Sequence, residues 1–370
     1  MRITKGTYRI IISGGGTGGH IYPAIAIANA WKSRHPDSKI LFVGAEGKME
    51  MQKVPEAGYE IRGLKIAGLQ RKLTLANLSF PFKLWKSLQK AKQILKEFEP
   101  DLALGVGGYA SGPMLRAAQQ KGIPTLIQEQ NSYAGLTNKL LAKKAKAICV
   151  AYPGMEKFFP KEKTHYLGNP VRGDIMQLEG KSEKAKAHFG LDTHRPLLLV
   201  LGGSLGARTI NKAILQHMAF FEAKGYQVLW QTGKYYYEEM KQAVNTSQLK
   251  HIHPLEFIKE MDLAYASADL ILSRAGALSV SELSLVGKPA IFIPSPNVAE
   301  DHQTKNAMAF VEQGAARMIK DSEAIEKVGK EVEKLFSQPQ TMAVLGQNIR
   351  KLAKPDASEA IVNLMEKLVQ

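Results

Sequence analysis

Short unbroken apolar runs recur along the chain, each followed by a glycine-rich or polar turn and then by a longer mixed segment. Nine runs read as strands: Tyr8–Ser13, Lys39–Val43, Leu102–Leu104, Thr125–Gln128, Ala147–Val150, Leu197–Leu201, Gln227–Trp230, Leu270–Leu272 and Ala290–Ile293. Several are apolar throughout, as expected of parallel strands covered on both faces. Helical patterns lie between them, at Lys83–Phe98, Thr209–Lys224 and Leu278–Val286. In the first of these, Leu84, Leu88, Ala91, Leu95 and Phe98 recur at helical spacing, which predicts a face turned to a core. The tail Ala357–Gln370 puts Ile361, Leu364, Met365 and Leu368 on one face. Strand alternating with helix predicts doubly wound α/β sheets. A length of 370 residues suits two domains, with a joint near Leu167–Arg172, where Gly168, Asn169 and Pro170 break regular structure.

Three glycine clusters follow predicted strands: Gly14–Gly19, Gly105–Gly112 and Gly202–Gly206. Glycine tolerates positive φ and lets a ligand approach bare backbone N–H groups. A helix following such a turn points its positive end at the same place, so these loops suit anionic or polar oxygens. His20 adds a titratable group at the rim of the first loop. That loop also fits GxGxxG at Gly14, Gly16 and Gly19, with Glu46 placed as a ribose acid, so a nicotinamide-linked oxidoreductase competes. None of these three glycine clusters carries Gly-Lys-Ser/Thr, which argues against a P-loop nucleotidase. Glu282, about one turn into its helix, suits a ribose diol, or is simply an acid favoured by the helix dipole. Asp301, Gln303 and Asn306, after a strand end, suit sugar hydroxyls.

Charge changes this picture. Net charge is +16, and it is one-sided. Residues 1–170 carry 26 Lys and Arg against 11 Asp and Glu, whereas residues 171–370 carry 24 against 23. An anionic partner for the first half follows, as phospholipid, nucleic acid or charged substrate; plain solubility is the alternative. Within Leu69–Phe98, Lys72, Lys83 and Lys86 interleave with Leu75, Leu78, Phe82 and Trp85. Apolar and aromatic residues ringed by lysines suit a membrane interface, against the plainer reading of a solvated surface helix. No apolar run approaches the roughly 18 residues of a membrane helix, and Met1–Lys5 opens no signal-peptide core. The lone Cys149 sits in an apolar strand and excludes an internal disulfide, which suits a reducing compartment. A non-catalytic basic protein is thus the third reading.

Taken together and in order from residue 14 to residue 307, GGGTGGHIYPAIAIA, GVGGYASGP, EQNSYAGLTNKLLA, GNPVR, GGSLGARTIN, SRAGALSVSE and DHQTKNA resemble the MurG family of bacterial N-acetylglucosaminyltransferases. The resemblance implies a GT-B glycosyltransferase, two Rossmann-like doubly wound α/β domains facing a central cleft. It implies an acceptor-binding, membrane-associating domain over 1–168 and a UDP-GlcNAc-binding domain over 169–354, with helix 355–370 packing back onto the first. The implied reaction is inverting transfer of GlcNAc from UDP-GlcNAc to the muramyl 4-hydroxyl of lipid I, giving lipid II, with no obligatory metal. By resemblance the donor set is Asn131, Arg172, Ser204, Ile258, Ala277, Glu282 and Gln303, with His302 second to Gln303 as reader of the sugar. The acceptor diphosphate is expected over Gly15, Gly16, Gly18, Gly19, Gly107, Gly108 and Tyr109. His20, with Thr17 beside it, is the expected base, or else positions that diphosphate. Expected partners are UDP-GlcNAc, lipid I, anionic inner-leaflet phospholipid, and cell-wall synthesis and division proteins, without nucleic acid. The expected location is peripheral, on the cytoplasmic face of the inner membrane. A related glycolipid transferase or a UDP-GlcNAc epimerase is the near alternative; an epimerase would need no basic apolar face.

Overall fold

The computed structural model describes residues 7–66, 80–171, 175, 178, 180–203 and 205–370. The chain divides into two compact units, Met1–Val171 with Asp356–Gln370, and Arg172–Pro355. Arg172, Ser204, Lys72, Leu75 and Leu78 lie outside the described residues.

The first unit is built on β1 (Arg9–Ser13), β2 (Lys39–Ala45), β3 (Glu60–Leu64), β4 (Leu102–Gly105), β5 (Thr125–Glu129), β6 (Ala147–Val150) and β7 (Thr164–Tyr166). All pair in parallel, in the order β3-β2-β1-β4-β5-β6-β7. Its helices are α1 (Gly18–Arg34), α2 (Glu50–Glu56), α3 (Phe80–Phe98), α4 (Ser111–Gln120) and α5 (Leu136–Ala142). The second unit carries α6 (Ser182–His188), β8 (Leu197–Leu201), α7 (Arg208–Ala223), β9 (Gln227–Gln231), α8 (Tyr237–Thr246), β10 (Ile252–Leu255), α9 (Met261–Ser267), β11 (Leu270–Ser273), α10 (Ala277–Val286), β12 (Ala290–Phe292), α11 (His302–Val311), β13 (Arg317–Met318), α12 (Ala324–Phe336) and α13 (Pro339–Lys351). Its strands run β10-β9-β8-β11-β12-β13, again parallel. Both sheets thus reverse strand order once, between β1 and β4 and between β8 and β11. In open parallel sheets, ligands bind beyond the carboxyl ends of the strands at that reversal.

The nine predicted strands are all present, and four more border them. The additions β3, β7, β10 and β13 are the sheet edges. Edge strands are covered on fewer sides and need no continuous apolar run, which is why Glu60–Leu64 and Thr164–Tyr166 are half-polar. β10 even contains Pro254, which an edge tolerates.

Helix α1 begins at Gly18, so Gly18, Gly19 and His20 form its first turn rather than the end of a loop. The apolar stripe of α3 turns inward, most deeply at Ala91, Ile94 and Leu95. The closing helix α14 (Ala357–Val369) belongs to the first unit: Ile361, Val362 and Met365 join the core of Ile10, Ile12, Ile27 and Trp31. Arg34 bonds to Asn363 and Glu359, and His35 Nε2 lies 2.8 Å from Glu366. The first unit also extends past the expected limit at 168. Asn169 is buried in it, accepting from Gln128 Nε2 at 2.9 Å and donating to the Gln130 carbonyl at 3.0 Å.

In the second core, Trp230 is fully buried and donates its indole N–H to Asn211 Oδ1 at 3.0 Å. Trp230→Ala is expected to cost about 3–5 kcal/mol, from a cavity and a hydrogen bond lost together. A lowered midpoint of urea unfolding would measure it.

Candidate active site

In the first unit, the turns after β1 and β4 meet backbone to backbone. Gly15 N–H donates to the Gly107 carbonyl at 3.3 Å, and Gly14 N–H to that of Val43 at 3.2 Å. A Cβ on Gly108 would lie 2.3 Å from the Gly15 oxygen, and one on Gly14 would lie 2.6 Å from the Gly107 oxygen. Gly15, Gly16, Gly107 and Gly108 all have positive φ, from 82° to 141°. Glycine at these positions therefore allows the two loops to interlock.

The sequence expectation placed a diphosphate over Gly15 and Gly16, but their N–H groups are already engaged. Gly16 N–H donates to Glu50 Oε2 at 2.8 Å, and Gly15 N–H points to Gly107. The first-turn N–H groups of Gly18 and Gly19, by contrast, have no acceptor within the helix. His20 stands in the same turn. Its Nδ1 lies 3.2 Å from Thr17 Oγ1, and a Cβ on Gly107 would come within 2.9 Å of its Nε2. Thr17, His20 and Gly107 are thus brought together, with Tyr109 half-exposed just beyond.

Two carboxylates in this unit were missed by sequence reasoning. Glu50 opens α2, only 1% exposed beneath the glycine turn. Glu129, at the end of β5, accepts from the N–H groups of Asn131 at 3.1 Å and Gly135 at 2.9 Å and from Asn138 Nδ2 at 2.9 Å. It thereby fixes Asn131. The polar run Gln128-Glu129-Gln130 ending an apolar strand was the available signal for Glu129; Glu50 had none.

On α3, Phe82 and Trp85 are 57% and 56% exposed and stack 6.2 Å apart. Lys86 Nζ sits 4.4 Å over the Phe82 ring, and Lys83 is exposed beside it. Phe82, Lys83 and Lys86 line a groove of about 730 Å³ with Lys65 and Lys90. Glu46, proposed above as a dinucleotide acid, lines the same groove and pairs with Lys90 at 3.0 Å. Leu136 and Leu140 on α5, each 73% exposed, are a further apolar pair that the sequence reading passed over. No helix among the described residues is long and apolar enough to cross a membrane.

The second unit repeats the loop construction. Gly203 and Gly206 have φ of 85° and 83°, and a Cβ on Gly233 would lie 2.0 Å from Gly206 N. Ala277 is the first residue of α10, and Glu282 stands a turn and a half further on. Tyr265, on α9, donates its hydroxyl to Glu282 Oε2 at 2.9 Å. Ile258 is buried at 1% exposure, with its N–H given to Gln231 Oε1 at 3.0 Å, so Phe257 supplies the exposed wall there. Gln303 Oε1 accepts from Ser295 N–H at 2.8 Å, which fixes the amide so that its nitrogen is the donor end. Glu300 and Asp301, just before α11, both have left-handed φ, at 55° and 49°. Two such non-glycine residues in succession store about 1–2 kcal/mol each, strain of the kind that gathers at ligand sites. Ala277, Glu282 and Gln303 share this unit, whereas Asn131 belongs to the first. Among the described residues, no group of three or more His, Cys, Asp or Glu is arranged to hold a metal ion.

Comparison with known proteins agrees with this geometry. Residues 10–150 match the glycosyltransferase family 28 N-terminal domain and residues 197–361 the family 28 C-terminal domain. The chain is 59% identical over 362 residues to the UDP-N-acetylglucosamine–N-acetylmuramyl-(pentapeptide) pyrophosphoryl-undecaprenol N-acetylglucosamine transferase of Cytophaga hutchinsonii, covering 98% of this chain and 97% of the relative. The crystal structure of Acinetobacter baumannii MurG aligns with a TM-score of 0.80 at 29% identity, covering 97% of this chain and 99% of that one. A UDP-GlcNAc 2-epimerase from Neisseria meningitidis aligns with a TM-score of 0.66 over 97% of this chain and 100% of that one, but at 15% identity it shares the fold alone. The oxidoreductase reading falls with these matches, and the fold is the α/β pair of Rossmann-like units expected of GT-B. The chain belongs to glycosyltransferase family 28, within its MurG group of N-acetylglucosamine transferases.

Proposed function

We propose that this chain transfers GlcNAc from UDP-GlcNAc to the muramyl 4-hydroxyl of undecaprenyl-pyrophosphoryl-MurNAc-pentapeptide, lipid I, and so makes lipid II for peptidoglycan synthesis. The observation that carries the reading is the 59% identity, over 98% of the chain, to a transferase whose name states donor and acceptor.

The second unit holds the donor. Glu282 takes the ribose diol, the Phe257–Ile258 segment walls the uracil, and the Gln303 amide donates to the sugar beside the Ala277 N–H; Asn131, a residue of the first unit, is assigned to the donor by motif alone. Arg172 and Ser204 complete the set by motif. N–H groups at the Gly202–Gly206 turn and the N-terminus of α7 stabilise the leaving UDP, so no metal is required. The first unit holds the acceptor, its diphosphate over Gly18 and Gly19, with Gly15, Gly16, Gly107, Gly108 and Tyr109 shaping the seat. Attack is a direct displacement with inversion. His20 takes the hydroxyl proton as the C–O bond forms. With Nδ1–H donating to Thr17 Oγ1, the lone pair sits on Nε2, the side toward Gly107.

The enzyme works from the cytoplasmic face of the inner membrane. Phe82 and Trp85 enter the headgroup region, and Lys83 and Lys86, with Lys72, Leu75 and Leu78 of the preceding segment, meet anionic lipid. Cell-wall synthesis and division proteins are its neighbours there.

The deciding experiment is transfer of radiolabelled sugar from UDP-GlcNAc to a short-chain lipid-linked muramyl acceptor, with and without chelator. Absence of product under every detergent condition would end the reading, and a chelator-sensitive rate would end its metal-free form. For the membrane face, a Phe82→Ser/Trp85→Ser variant is expected to partition about tenfold more weakly onto anionic vesicles while binding UDP normally. Unchanged sedimentation with vesicles would remove this face.

A further inference from the structure

We propose that Glu50 is a positioning residue for the acceptor: its buried carboxylate clamps the Gly15–Gly16 turn and thereby aims the first turn of α1 and the His20 ring. The inference rests on the first unit being the acceptor-binding one.

Glu50 joins two segments. Oε2 accepts the Gly16 N–H at 2.8 Å, and Oε1 accepts the Ala45 N–H, at the end of β2, at 3.0 Å. Among the described residues no cation pairs with it. A carboxylate so deeply buried is costly unless its lone pairs are used. The arrangement has a reason, because two N–H donors face the two ends of one planar group. Only a carboxylate accepts at both ends; a glutamine would set its NH₂ against one of the N–H groups.

The backbone leaves room for this one side chain. A Cβ on Gly15 would stand 2.2 Å from the Glu50 carboxyl carbon, and one on Gly44 would stand 2.5 Å from its Cγ. With Gly16 held inward, Thr17 follows as the cap of α1, its carbonyl accepting from His20 N–H at 3.1 Å and Ile21 N–H at 3.2 Å. Thr17 Oγ1 then meets the His20 ring. Each link from Glu50 to His20 is a hydrogen bond or a single covalent step, so displacing the carboxylate displaces the ring and the first-turn N–H groups. Small misplacements of such groups are expensive in rate.

The test uses the full chain, UDP-GlcNAc and the short-chain lipid-linked muramyl acceptor. Glu50→Gln is expected to raise the acceptor KM and lower kcat, each by about tenfold, while leaving the KM for UDP-GlcNAc and the UDP-induced thermal shift unchanged. Gly44→Ala lies on β2, outside the loop, and keeps the charge. It is expected to reproduce the acceptor defect by pushing Glu50 aside, and to add less than about twofold on top of Glu50→Ala, because its severe overlap is with Glu50 while its other close neighbour, Ile61 Cδ1 at 3.1 Å, is the end of a flexible side chain. Acceptor KM and kcat of Glu50→Gln within about twofold of wild type would overturn the proposal. So would equal rises in both KM values, which mark a merely structural role, or a Gly44→Ala loss that multiplies that of Glu50→Ala. Should Glu50→Gln lose its UDP thermal shift through misfolding, Gly44→Ala with donor binding intact decides alone, by the presence or absence of the acceptor defect. Inactive wild type would defeat the functional reading and this inference with it; active wild type with an indifferent Glu50→Gln defeats the inference only.

Discussion

Glu282→Ala is expected to weaken UDP-GlcNAc binding by about 10³-fold, with the acceptor KM nearly unchanged. A carboxylate offers about four acceptor positions. Tyr265 occupies one, at 2.9 Å on Oε2, and holds the group in a single orientation. The ribose diol would add two charge-assisted hydrogen bonds, each contributing about 1.5–3 kcal/mol. Alanine removes both, and with them the Tyr265 hydrogen bond to Oε2. Glu282→Gln keeps one acceptor oxygen and should fall about thirtyfold, roughly half the loss in free energy. Tyr265→Phe loosens the carboxylate without deleting it and should weaken donor binding by a few-fold only. Calorimetric titration with UDP distinguishes these. Binding by Glu282→Ala within about threefold of wild type would remove Glu282 from the ribose site.

His20→Ala is expected to lower kcat by about 10²–10⁴, the range a positioned general base contributes. Its pH profile should separate base from anchor. As the base, His20 acts only when neutral, so the wild-type pH profile should carry an acid limb that vanishes in the variant. If the ring instead steadies the acceptor diphosphate, its cation is the useful form. Acceptor KM would then rise with pH, and the alanine variant would lose mainly acceptor affinity. Thr17→Val, which removes the 3.2 Å contact with Nδ1, should produce a milder version of whichever pattern His20→Ala gives. Near-normal turnover by His20→Ala would exclude both roles.

The central strands were legible in the sequence because burial on both faces demands unbroken apolar runs, as in Ile10–Ile12 and Leu197–Leu201. The glycine turns were legible because only glycine accommodates their φ and their backbone contacts. The charge asymmetry and the ordered motifs gave the family. Those signals are local, and each is written in a few consecutive residues.

What the tertiary structure alone decided is set by contacts between distant segments. The four edge strands depend on having a neighbour on one side only, so their composition is not distinctive. The tail helix joined the first unit through Ile361 and Met365 against Trp31, a pairing across some three hundred residues. The glycine loops looked alike in sequence, yet folding gave the N–H groups of Gly15 and Gly16 to Gly107 and Glu50 and set Gly18 and Gly19 in the first turn of a helix. An unremarkable Glu50 became a buried clamp because β2 and the glycine turn each brought one unpaired N–H to the same slot. A hydrogen-bonding donor in a chain is fixed by composition, but whether a ligand or the protein itself receives it is fixed only once the backbone has closed around it.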